Sequence, residues 1–105
     1  MSEDAATALL RALRSRLRDF SGALVVEDLA SRSWASVTFT GARHLLCLRL
    51  IGLGAEEAAD AFLAGLEEAE FNLRSHVLAD IVLMRQAREE ASVRLFLEAL
   101  TVEKS

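Results

Sequence analysis

The stretch 33–51 constrains the fold of this chain more than any other. Two runs of alternating apolar and polar residues, 34–40 and 43–51, flank the dipeptide formed by Gly41 and Ala42. Glycine suits the first central position of a type II′ turn, because the backbone there needs a positive φ. The alternation and the turn residues agree, so the stretch predicts a β-hairpin in which Thr40 lies opposite Arg43.

The predicted register gives the two faces of this hairpin different compositions. Successive side chains of a strand point to opposite faces. One face is mostly apolar and collects Ala35, Val37, Phe39, His44, Leu46, Leu48 and Leu50. The other face is mixed and collects Trp34, Ser36, Thr38, Thr40, Arg43, Leu45, Cys47, Arg49 and Ile51. On the mixed face Trp34 lies opposite Arg49, close enough for the guanidinium to stack on the indole ring.

Apolar residues at spacings of three and four predict two amphipathic helices. The first begins after the candidate cap Ser2 and ends before Gly22. Its buried stripe consists of Ala6, Leu9, Leu10, Leu13, Leu17 and Phe20. The second helix spans residues 55–68 and buries Ala59, Phe62, Leu63 and Leu66.

Further strands are predicted on both sides of the second helix. Residues 23–30 form a strand that makes a three-stranded meander with the hairpin. Residues 77–85 and 91–102 alternate and are joined by a polar turn around 86–90, which predicts a second hairpin with Leu83 opposite Val93. A helix over residues 87–100 is the alternative, and the alternation within the last run favours a strand.

The predicted order is α-β-β-β-α-β-β over one domain, residues 1–105. It indicates an α+β fold with two layers, a five-stranded, mostly antiparallel sheet and two helices on one of its faces. The expected core consists of Phe39, Leu46, Leu48, Phe62, Leu66, Ile81, Leu95 and Leu97. The predicted order resembles the start of the fold of small acidic secretion chaperones. The resemblance implies a dimer that binds extended partner segments, although those chaperones usually add a final helix that is missing here.

The chain is acidic, with 12 basic and 16 acidic residues and a formal net charge of −4. Phosphate neutralisation supplies most of the affinity of proteins for nucleic acid, so this charge argues against nucleic acid as the main partner. Four arginines of the first helix, Arg11, Arg14, Arg16 and Arg18, leave two interpretations open. They form either a contact for an anion or a charged helix face, and the overall charge favours the charged face.

The sequence also indicates where the chain resides. The single Cys47 cannot form an intramolecular disulfide, which favours a reducing, cytoplasmic environment. The first residues are acidic where a signal peptide is basic. No stretch approaches the roughly 20 apolar residues that a membrane-spanning helix needs. We therefore expect a cytoplasmic protein with no contact to membranes.

No pattern of residues predicts a cofactor or a metal site. Gly52 and Gly54 stand between a strand and a helix, where a dinucleotide fingerprint has its glycines, but Glu57 replaces the third glycine. Glu56 and Glu57 would also repel a pyrophosphate at the helix N-terminus. The acidic run 67–70 is typical of a solvated helix end.

The two histidines and the single cysteine predict no catalytic site either. His44 and Cys47 are three residues apart on a strand, so their side chains point to opposite faces. His76 and Asp80 lie about 13 Å apart along a strand, too far for a direct pair. We therefore expect no catalytic residues, and we interpret His44 as a hydrogen-bonded histidine at the edge of the core.

The mixed sheet face is the strongest candidate for a functional surface. It is too apolar for a face exposed to solvent and too charged for a dry core. Enrichment in tryptophan, methionine and arginine is typical of protein interfaces. The predicted interface residues are Trp34, Leu45, Arg49, Val82, Met84, Arg94 and Phe96. Coverage of this face by a helix or by a returning terminus is the alternative.

The sequence thus predicts a non-enzymatic interaction or adaptor module that acts as a two-fold homodimer, with a protein or peptide as a further partner. The mixed face forms the dimer contact in this interpretation. The alternative is a small-molecule binding domain or minor enzyme with a pocket between the helices and the sheet near His44. A dimer without ligand supports the first class, and a monomer with a co-purified ligand supports the second.

Overall fold

The computed structural model describes residues 3–104, which form helices packed on an antiparallel sheet. The elements are α1 (Ala5–Arg16), β1 (Ala23–Ala35), β2 (Thr40–Ile51), α2 (Ala55–Leu63), a 3-10 turn (Leu66–Glu68), β3 (His76–Glu89) and β4 (Ser92–Glu103). The sheet has four strands in the order β1-β2-β4-β3. The predicted α+β class is confirmed, but the five-stranded sheet and the order with three consecutive strands are wrong. The resemblance to secretion chaperones depended on that order and loses its basis.

The first hairpin differs from the prediction because its turn lies earlier in the chain. β1 continues without a break to Ala35, and residues 36–39 form the loop. The Ser36 N–H donates to the Phe39 carbonyl oxygen at 2.7 Å, and the Phe39 N–H donates to Ser36 Oγ at 3.0 Å. Gly41 lies within β2 opposite Trp34, where a Cβ would come 2.8 Å from the indole ring and collide with the Thr101 carbonyl oxygen. This glycine serves close packing instead of a turn.

The changed turn alters the register of the whole hairpin. Trp34 pairs with Gly41, and Arg49 pairs with Val25. Trp34 and Arg49 therefore lie about 26 Å apart along the sheet, and the predicted stacking between them is wrong. Phe39 belongs to the exposed loop, with 55% of its surface accessible, so its predicted place in the core is also wrong.

The second hairpin has a tighter turn than predicted. β3 continues to Glu89, which pairs with Ser92, so the turn consists of Glu90 and Ala91. The backbone of Ala91 has a φ of 55°. The register shifts twice along β3, at the extra residues Ala79 and Met84. The tighter turn moves the register by five residues and the bulge at Met84 moves it back by one, so Leu83 pairs with Leu97 instead of the predicted Val93.

Both helices are shorter than their apolar spacing suggests. Asp4 caps α1 by accepting a hydrogen bond from the Thr7 N–H at 2.7 Å, whereas the predicted cap Ser2 lies outside the described residues. α2 ends at Leu63, because Gly65 turns the backbone with a φ of 67° into the separate 3-10 turn. No helix within residues 3–104 is long and apolar enough to cross a membrane.

One core lies between the helices and a single face of the sheet. Its buried members come from α1 and the following Leu17, from α2 and the 3-10 turn, and from β2, β3 and β4: Leu9, Leu13, Leu17, Leu46, Leu48, Leu50, Ala55, Ala59, Phe62, Leu66, Ile81, Val93, Leu95, Leu97 and Ala99. All predicted core residues except Phe39 belong to it. The two-layer arrangement is confirmed, and within residues 3–104 neither helix covers the other face of the sheet.

Candidate protein-interaction surface

The sheet face opposite the helices is called the outer face below. It is formed by every second side chain along each strand, which points away from the buried core. These side chains include Val25, Asp28, Ala30, Arg32, Trp34, Arg43, Leu45, Cys47, Arg49, Ile51, Val77, Asp80, Val82, Arg85, Arg94, Phe96, Glu98 and Leu100, with Met84 added by its bulge. All seven predicted interface residues are on this face. Trp34 stands near one end of it, apart from the other six.

A shallow depression of about 440 Å³ occupies the middle of the outer face. Its apolar lining includes Leu45 and Met84, which are 51% and 58% exposed, and the side chains of Cys47 and Phe96. The Arg85 guanidinium lies 3.7 Å from the centre of the Phe96 ring, a cation–π contact that holds this ring in place. Half-exposed apolar groups next to fixed aromatic and cationic groups are the composition of an interface centre.

Glu27 joins the two predicted arginines of this face into one ion-pair network. Its carboxylate lies 2.6 Å from Arg94 and 3.7 Å from Arg49, and Arg94 also lies 3.6 Å from Glu89. The hydrogen bond from Arg94 holds the pKa of Glu27 below its ordinary value. Glu27 is the extra residue of the β1 bulge, so a strict two-residue period could not predict its role.

The end of the outer face near Trp34 contains a second set of polar groups. Arg43 pairs with Glu98 at 2.7 Å, across the neighbouring strands β2 and β4. A recess of about 370 Å³ is lined by Arg32, Ser33, Trp34, Arg43 and Leu100. Within residues 3–104 the Trp34 Nε1 is buried without a hydrogen-bond partner. Among the described residues of the outer face, the indole nitrogen is thus the one buried side-chain polar atom without a hydrogen-bond partner.

His44 lies on the inner face of the sheet and is fully hydrogen-bonded. The Thr101 hydroxyl donates to the Ala42 carbonyl oxygen at 3.3 Å and therefore accepts from His44 Nε2 at 2.9 Å. His44 Nδ1 is left to accept from the Ser31 hydroxyl at 2.7 Å. Burial lowers the pKa of His44, which keeps the ring neutral near pH 7. The prediction of a hydrogen-bonded histidine at the core edge is confirmed.

The other residues considered for chemistry are separated or have structural partners. His44 and Cys47 point to opposite faces of the sheet, as predicted, and burial raises the pKa of the Cys47 thiol. Gly52 and Gly54 have φ values of 129° and 82° and form the turn into α2. Among residues 3–104 no group of three or more His, Cys, Asp or Glu side chains could hold a metal ion.

The arginines of α1 divide into structural and exposed residues. Arg16 donates to the carbonyl oxygens of Phe62 and Ala64 at 2.9 and 2.6 Å, which satisfies the C-terminal end of α2. Arg11 pairs with Glu3 at 2.8 Å. Arg14 is exposed on the helix surface. Only part of the predicted basic cluster is therefore available to a partner.

Comparisons with known proteins supply a fold neighbour. No protein-family model matches the chain, and no curated protein matches it. A chain in a solved structure described as "Virion of native gene transfer agent (GTA) particle" matches with a TM-score of 0.68 and 20% identity. The match covers 98% of this chain and 100% of that chain. At this identity the likeness shows a shared fold over nearly the full length of both chains.

Proposed function

We propose that this chain is a non-enzymatic, single-domain subunit of a virion-like particle and that it associates as a homodimer through its outer face. The observation that carries the proposal is the composition of that face, which combines half-exposed apolar side chains with ordered ion pairs. Leu45 and Met84 are both more than half exposed there, although each strand also supplies residues to a closed core.

The ion pairs of the outer face support its burial against another protein. Glu27 already pairs with Arg94, and Glu98 already pairs with Arg43, within one copy. Charges that are paired before association lose less on desolvation than single charges do. Covering the apolar depression therefore leaves these four charges paired within their own copy.

The fold neighbour supports the placement of the chain in a particle. That neighbour comes from a virion structure, and the shared fold accounts for its whole length. An exposed face that combines apolar side chains with paired charges fits a subunit that binds other subunits.

We also propose that the chain resides in the cytoplasm until it joins the particle. The free and buried Cys47 supports this location, since a reducing compartment keeps a thiol unpaired. Fractionation of producing cells, followed by immunodetection of the chain, tests it. Recovery of the unassembled chain outside the cytoplasmic fraction would contradict this part of the proposal.

The dimer contact is tested by placing a charge in the depression. Leu45→Glu puts a carboxylate at its centre, and we expect the variant to elute as a monomer in size-exclusion chromatography where the wild type elutes as a dimer. Ala61→Glu is the matched control, because Ala61 is exposed on α2 on the other side of the molecule. A monomeric wild type, or a dimeric Leu45→Glu variant, would contradict the proposed contact.

The particle itself is tested in the cells that produce the chain. We expect an antibody against the chain to detect it in the particle band of a density gradient loaded with culture supernatant. The Leu45→Glu variant should be depleted from that band, whereas Ala61→Glu should remain there. Absence of the wild-type chain from every sedimentable fraction would contradict a role as a particle subunit.

A pocket beside His44 favours small-molecule binding as the second candidate function. This pocket of about 330 Å³ lies between the start of α1 and the inner face of the sheet, and its lining includes Ser31, Ser33, His44 and His76. Native mass spectrometry of the purified protein tests it. A bound small molecule that disappears in Ser33→Phe, which fills the pocket, would support this candidate, and an unliganded mass would contradict it.

A further inference from the structure

Exposed apolar residues before β2 and at or beyond its end stand at equal numbers of sequence positions from Leu45. Phe39 lies six positions before Leu45 and Ile51 lies six positions after it. Val37 and Leu53 lie eight positions before and after it, and both are almost fully exposed. A two-fold contact joins one surface to an identical copy of itself, so it requires this kind of arrangement about the axis.

Two charges on the neighbouring strand are symmetric about the same row. Ala30 pairs with Leu45 across β1 and β2. Asp28 lies two positions before Ala30 and Arg32 lies two positions after it, and both side chains are exposed. Within residues 3–104 neither of them takes part in an ion pair. A two-fold rotation about this row brings Asp28 of one copy opposite Arg32 of a second copy, so the two opposite charges can pair.

We propose that the two-fold axis of the homodimer runs across the strands along the row of Ala30 and Leu45. This proposal rests on the proposed dimer and adds its register. The two outer faces meet with their strands antiparallel, and Leu45 contacts its own counterpart. Asp28 of each copy pairs with Arg32 of the other copy. The loop that carries Phe39 in one copy covers the end of β2 in the other.

The geometry of packed sheets indicates which of these contacts is most closely defined. Sheets that pack face to face keep their strand directions within about 30°, so residues near the axis stay in register. Asp28 and Arg32 lie about 7 Å from the axis, whereas Ile51 at the end of β2 lies about 20 Å from it. Glu98 also lies on this row, because it pairs with Leu45 across β2 and β4. In each copy the guanidinium of Arg43 pairs with the Glu98 carboxylate and neutralises its charge near the axis.

Charge reversal tests the register. Arg32→Asp places two acidic groups opposite each other twice per dimer, and Asp28→Arg does the same with basic groups. Like charges in contact are unfavourable, so we expect each variant to raise the dimer dissociation constant by about tenfold or more. Arg14→Asp on α1 is the matched control and should leave the constant unchanged.

Recombination of the two variants makes the test specific. An equimolar mixture of Arg32→Asp and Asp28→Arg should form a heterodimer in which both pairs have opposite charges. The double variant in one chain should regain wild-type association. Single variants that dimerise like the wild type would overturn the register, and so would a mixture or a double variant that stays monomeric.

The results of these experiments also distinguish a wrong register from a wrong proposal of the dimer itself. A monomeric wild type contradicts both proposals. A wild-type dimer that Leu45→Glu disrupts, but that the charge reversals leave unchanged, overturns the register alone. Circular dichroism of each variant verifies folding, and we expect all of them to fold because the changed side chains are exposed.

Discussion

The two faces of the sheet use the same strands and similar apolar residues, yet only one of them is closed. On the inner face Leu46, Leu48 and Leu95 are buried beneath the helices. On the outer face Leu45 and Met84 stay half exposed among ion pairs. Apolar content by itself therefore does not identify a core. What distinguishes the faces is coverage, since within residues 3–104 the helices pack on the inner face and no helix packs on the outer face.

The largest expected difference between the faces is in stability. Leu95→Ala removes a fully buried side chain from the inner face and should lower the free energy of unfolding by about 2–5 kcal/mol. Leu45→Ala removes the same atoms from the outer face and should change it by about 0.5 kcal/mol or less under conditions that keep the chain monomeric. Denaturant unfolding of both variants gives the comparison. Equal losses would show that the two faces are not distinguished in this way.

A smaller effect is expected where the outer face is tightly packed. Gly41→Asn introduces a side chain against the Trp34 ring and the Thr101 carbonyl oxygen, and we expect a loss of about 1–3 kcal/mol. Gly54→Asn is the control, because no atom lies within 4 Å of a Cβ there and asparagine tolerates its left-handed backbone. If Gly41→Asn is as stable as the control, close packing is not the reason for this glycine.

The smallest expected effect is a pH dependence that belongs to the inner face. Burial holds the pKa of His44 below its ordinary value of 6.5; the nearby His76 lowers it further, and Asp4 acts against this. The unfolded chain consequently takes up more protons than the folded chain as the pH falls below 6.5, so stability should decrease there. Unfolding measured between about pH 7.5 and 5.5 should show this slope, and His44→Gln should reduce it. An unchanged slope in His44→Gln would contradict the assignment.

Alternation predicted the inner face of β2 and β4 correctly, because these central strands have no register shift between them. The errors came from residues whose local sequence pattern is compatible with two different structural roles. Gly41 has the signature of a turn, but it is required by close packing against Trp34. Phe39 and Val37 then continue an apolar alternation that the chain does not use, since they belong to a loop held by Ser36. The register of the first hairpin followed the wrong turn.

The sequence predicted which residues lie on the candidate surface, but it did not predict the contacts between them. The alternation of side chains along each strand was enough to place Leu45, Phe96 and the other predicted residues on one face. A wrong turn does not change which residues of β2 and β4 share a face. The ion-pair network around Glu27 was not predictable, because it depends on a β-bulge that no local sequence pattern indicates. The stacking of Arg85 on Phe96 depends on the bulge at Met84 in the same way.

The central claim is that a second copy covers the outer face, and the exposed Met84 reports on this directly. Met84 lies on this face, two residues along β3 from Val82, and Val82 pairs with Glu98 on the proposed axis row. Hydroxyl-radical footprinting measures how fast its thioether is oxidised. We expect oxidation of Met84 to slow as the protein concentration rises and to stay fast in Leu45→Glu at every concentration. A rate in the wild type that does not change with concentration, while light scattering shows a dimer, would contradict the account.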